Sequence, residues 1–292
     1  MLEVAKLMRR FGDNVAVNDV SFPVPPGALT GFVGGNGAGK TTTMRMIMGV
    51  LAIHGGQVLW RDRPVTVADR RSFGYMPEER GLYPKQPVVD QLVYLARLRG
   101  LTAADARSRA TALLERFDLA DRSKDKLESL SLGNQQRVQI AAAVIAQPSA
   151  LILDEPFSGL DPGAVDSMAQ LLREYADRGV PVLFSSHQLD LVERLCDKLV
   201  ILAAGRVVGQ GSVAELRAGD RTRYRLVLGA DASWLAEYTG VRVLETNGSS
   251  ALLELTGATT DELLAAALSR GSVHELAEVH QSVADIYREV TA

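Results

Sequence analysis

Residues 34–41 read Gly34-Gly35-Asn36-Gly37-Ala38-Gly39-Lys40-Thr41 and fit the pattern G-x-x-x-x-G-K-[ST]. Glycines at these places let the backbone curl around a phosphate group and turn its N–H groups inward. The run 29–33 ahead of the loop is short and apolar, and 41–48 behind it has helical character. Strand, glycine loop and helix in that order put the positive end of a helix dipole on the bound anion. In this arrangement Lys40 reaches the β- and γ-phosphates, and the Thr41 hydroxyl sits on Mg²⁺. The motif therefore predicts a nucleotide site.

A phosphate loop by itself does not choose among kinases, GTPases and ATPases. The Asn/Thr-Lys-x-Asp element that marks guanine specificity is absent. Further along, Leu151-Ile152-Leu153-Asp154-Glu155-Pro156 is an apolar strand ending in two acids. Delivering adjacent carboxylates from a buried strand is costly unless a cation or a reaction uses them. Asp154 is placed to hold Mg²⁺ through its water shell, and Glu155, on the other side of the strand, to polarise an attacking water.

Around these motifs the pattern alternates. Residues 15–22 read as a strand and 23–27 as a turn. From 88 to 146 the apolar spacing is helical, with Val88, Leu92, Leu95 and Ala96 on one face and Ala110, Leu113, Leu114 and Phe117 on another. Strand-like runs return at 150–153, 180–184 and 198–202, alternating with helices at 163–178 and 188–196. This predicts an α/β fold with a mostly parallel sheet covered by helices and a helical subdomain at about 86–147. The character changes near Gly219. Residues 220–292 hold 11 acids and 6 arginines, so this part carries −5 and the preceding part about +2. The expected order there is strand 222–228, helix 231–238, strand 241–245, an Asn247-Gly248 turn, strand 251–255, helix 260–269, strand 272–279 and helix 282–290. That order is β-α-β-β-α-β, a ferredoxin-like unit. The expected domains are thus 1–218, a P-loop nucleotide-binding core, and 219–292, a small α+β accessory domain.

Composition narrows the classes further. The chain has 292 residues, 47% hydrophobic and 23% charged, which excludes global disorder. A net charge of −3 argues against a general nucleic-acid binder. The single cysteine, Cys196, excludes an intramolecular disulfide. No run of 18 apolar residues occurs; the longest candidate, 140–153, is cut by Gln147 and Pro148. Residues 1–6 lack an export-signal pattern. The expectation is a cytoplasmic protein without a membrane span.

Taken together, these motifs resemble the nucleotide-binding subunits of ATP-binding-cassette transporters. Leu130-Ser131-Leu132-Gly133-Asn134-Gln135-Gln136-Arg137 resembles the family's signature sequence and stands about 20 residues before the Asp154-Glu155 pair. Ser158-Gly159-Leu160-Asp161 resembles its D-loop, and Ser186-His187 its switch histidine. The resemblance spans about residues 1–215. It implies a head-to-tail dimer, of two copies or of one copy and a paralogue, with two ATP molecules at the interface. One chain would supply Gly34, Asn36, Gly37, Ala38, Gly39, Lys40, Thr41 and Thr42, with Asp154 and Glu155; the other would supply Ser131 and Gly133 to the γ-phosphate. His187 would hold the γ-phosphate and the water, and Asp161 would tie the two sites together. Phe11 matches the aromatic that stacks on adenine, with Val17 beside it.

The sequence departs from the family pattern twice. Leu132 stands where the signature has glycine, with Asn134 in place of glutamine, and leucine cannot relieve backbone crowding as glycine does. In Tyr75-Met76-Pro77-Glu78, Glu78 occupies the place of a glutamine that touches Mg²⁺; a carboxylate binds the cation more strongly and repels the γ-phosphate. The segment 78–84 and the Gly-Asn-Gln-Gln signature look like the branch serving drug-resistance and sodium or lipid exporters. In that branch the membrane permease is a separate chain and holds the subunit on the inner face of the membrane. Ser282-Val283-Ala284-Asp285-Ile286-Tyr287 is similar to that branch's terminal helix, implying a role in dimer contact or regulation. Two alternatives stay open on the sequence: a soluble regulatory cassette, and a cassette that binds ATP with impaired hydrolysis.

Overall fold

The structure is a computed structural model that describes residues 1–79, 81–217, 222–279 and 282–291. The chain divides into two compact units, one built on Met1–Val213 and one on Ala214–Arg288. The expected boundary at 218–219 falls on residues outside those described.

The first unit opens with strands β1 (Leu2–Phe11), β2 (Asn14–Val24) and β3 (Leu29–Gly34), then helix α1 (Lys40–Ile47). Strands β4 (Gly55–Trp60) and β5 (Arg63–Pro64), helix α2 (Val67–Arg71) and strand β6 (Phe73–Met76) follow. Helices α3 (Val88–Leu98), α4 (Ala103–Arg116) and α5 (Leu132–Val144) form the helical block. The remainder is β7 (Ala150–Leu153), α6 (Pro162–Asp177), β8 (Val182–Ser186), α7 (Leu189–Leu195), β9 (Lys198–Ala203) and β10 (Arg206–Gly211), and α8 (Val213–Arg217) leads into the second unit.

Six strands make one sheet in the order β10-β9-β3-β8-β7-β6. All neighbours pair in parallel except the edge strand β10. Every residue of β3, β7 and β8 is buried, as expected of parallel strands covered on both faces. A separate antiparallel sheet, β2-β1-β4-β5, belongs to the same unit. The sequence pattern marks only the run 15–22 as a strand in this segment. The reason lies in the pairing of β1 with β2, whose register shifts between Val4 and Leu7, with the extra residue on β1, and again on either side of Arg9, with the extra residues on β2. Lys6 has φ 52°. Such bulges break the two-residue alternation that marks a strand. The core joins both sheets: Phe22 meets Phe32 and Trp60 meets Phe73, each pair at 5.0 Å between ring centroids.

The second unit holds β11 (Arg223–Leu228), β12 (Val241–Asn247), β13 (Ser250–Leu255), α9 (Thr260–Leu268), β14 (Val273–Val279) and α10 (Val283–Thr291). Its antiparallel sheet runs β12-β13-β11-β14, so β13 separates the first two strands of the chain order. Leu226, Leu235, Leu253 and Leu263 are fully buried in its core. The helix expected at 231–238 is a correction: a 3-10 turn covers Ser233–Glu237 instead. Asp231 accepts the Ser233 N–H at 2.8 Å, and so short a segment gains too few helical bonds to offset nucleation. By contrast α9 forms as expected. Thr259 and Glu262 cap each other's backbone N–H groups there.

Candidate functional site

The glycine loop follows β3 directly and leads into α1. Gly39 sits at φ 103° and caps α1 without a side-chain hydrogen bond, which leaves the first-turn N–H groups to an anion. Lys40 is 8% exposed, and its ammonium donates to the carbonyl oxygens of Gly34 at 2.7 Å and Gly35 at 3.2 Å. The charge is thus held inside the loop.

This loop lines a cavity of about 810 Å³ together with Glu78, Asp154, Glu155, Ser158, Gly159 and His187. Sheet order explains the gathering. β3, β8 and β7 are adjacent and parallel, so their C-terminal ends, and the loops that follow, open on one edge. Asn36, Gly37, Ala38, Thr41 and Thr42 all line this cavity.

Asp154 is 1% exposed. Its Oδ1 accepts the Ser185 hydroxyl at 2.6 Å, while Oδ2 is buried without a hydrogen-bond partner. An orphaned buried carboxylate oxygen facing a phosphate site suits a cation or its water shell. The Thr41 hydroxyl donates to Glu78 Oε2 at 3.3 Å, bringing a second carboxylate to the same place. Among the described residues no group of three or more His, Cys, Asp or Glu side chains is placed to hold a metal. A divalent cation here would draw its other ligands from nucleotide and water. The residues fit Mg²⁺ in that role.

Glu155 has φ 51°, in the left-handed region. Its Oε2 lies 2.9 Å from Nδ1 of His187. Burial pushes the Glu155 carboxyl above its usual range, and His187 and Lys40 oppose that shift. Two supports escaped the sequence reading. Ser185 on β8 donates to Asp154 and also accepts the Glu155 N–H at 2.8 Å. Gln136 on α5 donates to the Glu155 and Pro156 carbonyl oxygens at 2.9 and 3.1 Å. The signal for Ser185 was present: two serines end an otherwise apolar strand.

Other expected residues lie outside the cavity. Ser131 is exposed, and its hydroxyl accepts the Asn134 N–H as the cap of α5. Gly133 follows in the first turn of that helix. Leu132 is 60% exposed and does line the cavity. Asp161 caps α6 by accepting the Ala164 N–H at 2.9 Å, which holds its carboxyl below the usual range. Gly34 is buried in β3. Val17 is a correction: it is fully buried in the core, and Ala16 lines the cavity in its place. Phe11 is the last residue of β1 and is 47% exposed.

Comparison with known proteins agrees with this geometry. Residues 17–158 match the family model for ABC transporters, and residues 211–291 match that for the C-terminal domain of DrrA1-3-like ATP-binding proteins. The chain is similar to the uncharacterized ABC transporter ATP-binding protein YhaQ of Bacillus subtilis. They share 39% identity over 291 residues, 99% of this chain and 98% of the relative. It is 32% identical to the linearmycin resistance ATP-binding protein LnrL of the same organism, over 78% of this chain and 75% of the relative. A solved structure of an ATP-binding subunit of an ABC transporter aligns with TM-score 0.69 at 34% identity, covering 75% of this chain and 92% of that one.

Proposed function

Since the chain belongs to the ATP-binding subunits of ABC transporters, we propose that it hydrolyses Mg-ATP in a head-to-tail dimer to drive a separate membrane permease of the exporter type. The observation that carries this reading is the single cavity shared by the phosphate loop, Asp154, Glu155 and His187. Bound Mg²⁺ would supply charge neutralisation of the β- and γ-phosphates, with Thr41, Asp154 and Glu78 as the residues to hold it or its waters. Lys40 and the loop N–H groups bind and orient the phosphates. Glu155 takes the proton of the attacking water, and His187 fixes the carboxylate that does so.

Ser131 and Gly133 belong to the partner's site in this reading; neither lines the cavity of its own chain, although Leu132 between them does. Nucleotide then bridges two chains and favours the closed dimer, because only that state offers both sets of contacts. Asp161, at the head of α6, links the paired sites. Among the described residues no helix is long and apolar enough to cross a membrane. The subunit would therefore work from the cytoplasmic face, held there by the permease. We read the second unit as a split β-α-β accessory domain that contributes to dimer contact or regulation.

The test uses the Glu155→Gln chain in saturating Mg-ATP, with its mass read by light scattering. A dimer that dissolves on removing nucleotide supports the reading; a strict monomer overturns it. Capture of the tagged chain from solubilised host membranes then identifies the permease. Recovery of soluble proteins alone would instead favour a regulatory cassette.

A further inference from the structure

The guanidinium of Arg9 lies over the ring of Phe11, 4.7 Å from its centroid. The two residues are two apart on β1. The guanidinium is itself clamped. Its Nη1 donates to the Ala52 carbonyl oxygen at 2.9 Å and meets Nε2 of His54 at 2.9 Å. Arginine has only donors, so Nε2 of His54 accepts in this contact. Arg9 Nε is buried with no hydrogen-bond partner. A buried donor left unsatisfied is a cost that the ring contact and the two clamps offset.

Phe11 keeps 47% of its surface exposed beneath this cation. An exposed aromatic ring on a hairpin end ordinarily samples several rotamers, and a ligand that stacks on it must order it first. Here one face is already held by a fixed guanidinium. We propose that Arg9 is a positioning residue for base recognition, presetting the Phe11 ring as the rigid surface on which the purine stacks, with Ala52 and His54 as its anchors. The inference rests on the reading of Phe11 as the adenine-stacking residue. Arg9 acts on the base through Phe11 and leaves the phosphate contacts to the glycine loop.

The test compares the affinities of Mg-ATP and Mg-tripolyphosphate for the full chain by calorimetry, in wild type, Arg9→Met, Arg9→Lys and Phe11→Ala. Arg9→Met is expected to weaken ATP about threefold to tenfold and to leave tripolyphosphate unchanged. Arg9→Lys keeps the cation and recovers part of the loss. Equal weakening of both ligands marks a merely structural role and overturns the proposal, as does unchanged ATP affinity in Arg9→Met. Phe11→Ala separates the two levels. If it weakens ATP about tenfold while Arg9→Met does nothing, the stacking reading stands and the role of Arg9 falls. If Phe11→Ala itself leaves ATP affinity unchanged, both fall.

Discussion

His187 Nδ1 stands 2.9 Å from Glu155 Oε2, although 32 residues separate them in the chain. The parallel pairing of β7 and β8 brings this about. Leu153 is registered with Phe184, so the residues just past each strand end emerge side by side. The contact opposes the burial that raises the Glu155 carboxyl. A carboxylate that is desolvated yet steered by a neighbouring imidazole is suited to act as a general base toward water.

Glu155→Gln keeps the shape of the site and removes the proposed base. Phosphate release is expected to fall by about 100-fold or more, with ATP still bound. Turnover within a few-fold of wild type would remove Glu155 from the reaction.

The pH dependence follows from the direction of the shift. As the proposed base Glu155 works as a carboxylate, so activity is lost as pH falls through its pKa, and burial moves that loss above the range of an ordinary glutamate. His187 lowers this pKa. In His187→Ala the acid limb of the kcat profile should therefore move to higher pH, alongside a fall in the plateau. A limb that stays put or moves to lower pH would contradict the pairing.

Glu78→Gln removes one carboxylate charge facing the Thr41 hydroxyl. Charge among the ligands sets divalent affinity. The Mg²⁺ concentration giving half-maximal nucleotide binding should rise several-fold, read by titrating Mg²⁺ against a fluorescent ATP analogue. An unchanged midpoint would place Glu78 outside the cation site.

Two glycines of the loop should differ in their tolerance of a methyl group. A Cβ on Gly39 would lie 2.6 Å from the Ala16 carbonyl oxygen at φ 103°, whereas one on Gly37, at φ 77°, meets nothing within 4 Å. Gly37→Ala carries only the backbone strain of a left-handed residue, about 1–2 kcal/mol. Gly39→Ala must also displace β2. Melting temperature and ATP affinity should both fall further in Gly39→Ala than in Gly37→Ala, and the reverse order would refute the packing argument.

Much of the fold and the site is local, and local chemistry is legible. The glycine loop, the acid-ended strand 150–153 and the apolar faces of 88–146 each carry their signal within a dozen residues, because strand, loop and helix are formed by near neighbours. The strands of the N-terminal sheet were blurred by bulges in β1 and β2. The segment 231–238 carried helical spacing, and its length and the Asp231 turn decided otherwise.

The sequence alone thus determined the phosphate loop, the carboxylate pair, the α/β class and the resemblance to a transporter ATPase, since each rests on residue types at fixed short spacing. Only the tertiary structure decided which of those residues meet. It placed His187 on Glu155, the Ser185 hydroxyl between Asp154 and the Glu155 N–H, Val17 in the core, and the Arg9 guanidinium over Phe11. These contacts depend on strand order, register and bulges. Those are set by how buried surfaces pack across the whole unit rather than by any one stretch of chain.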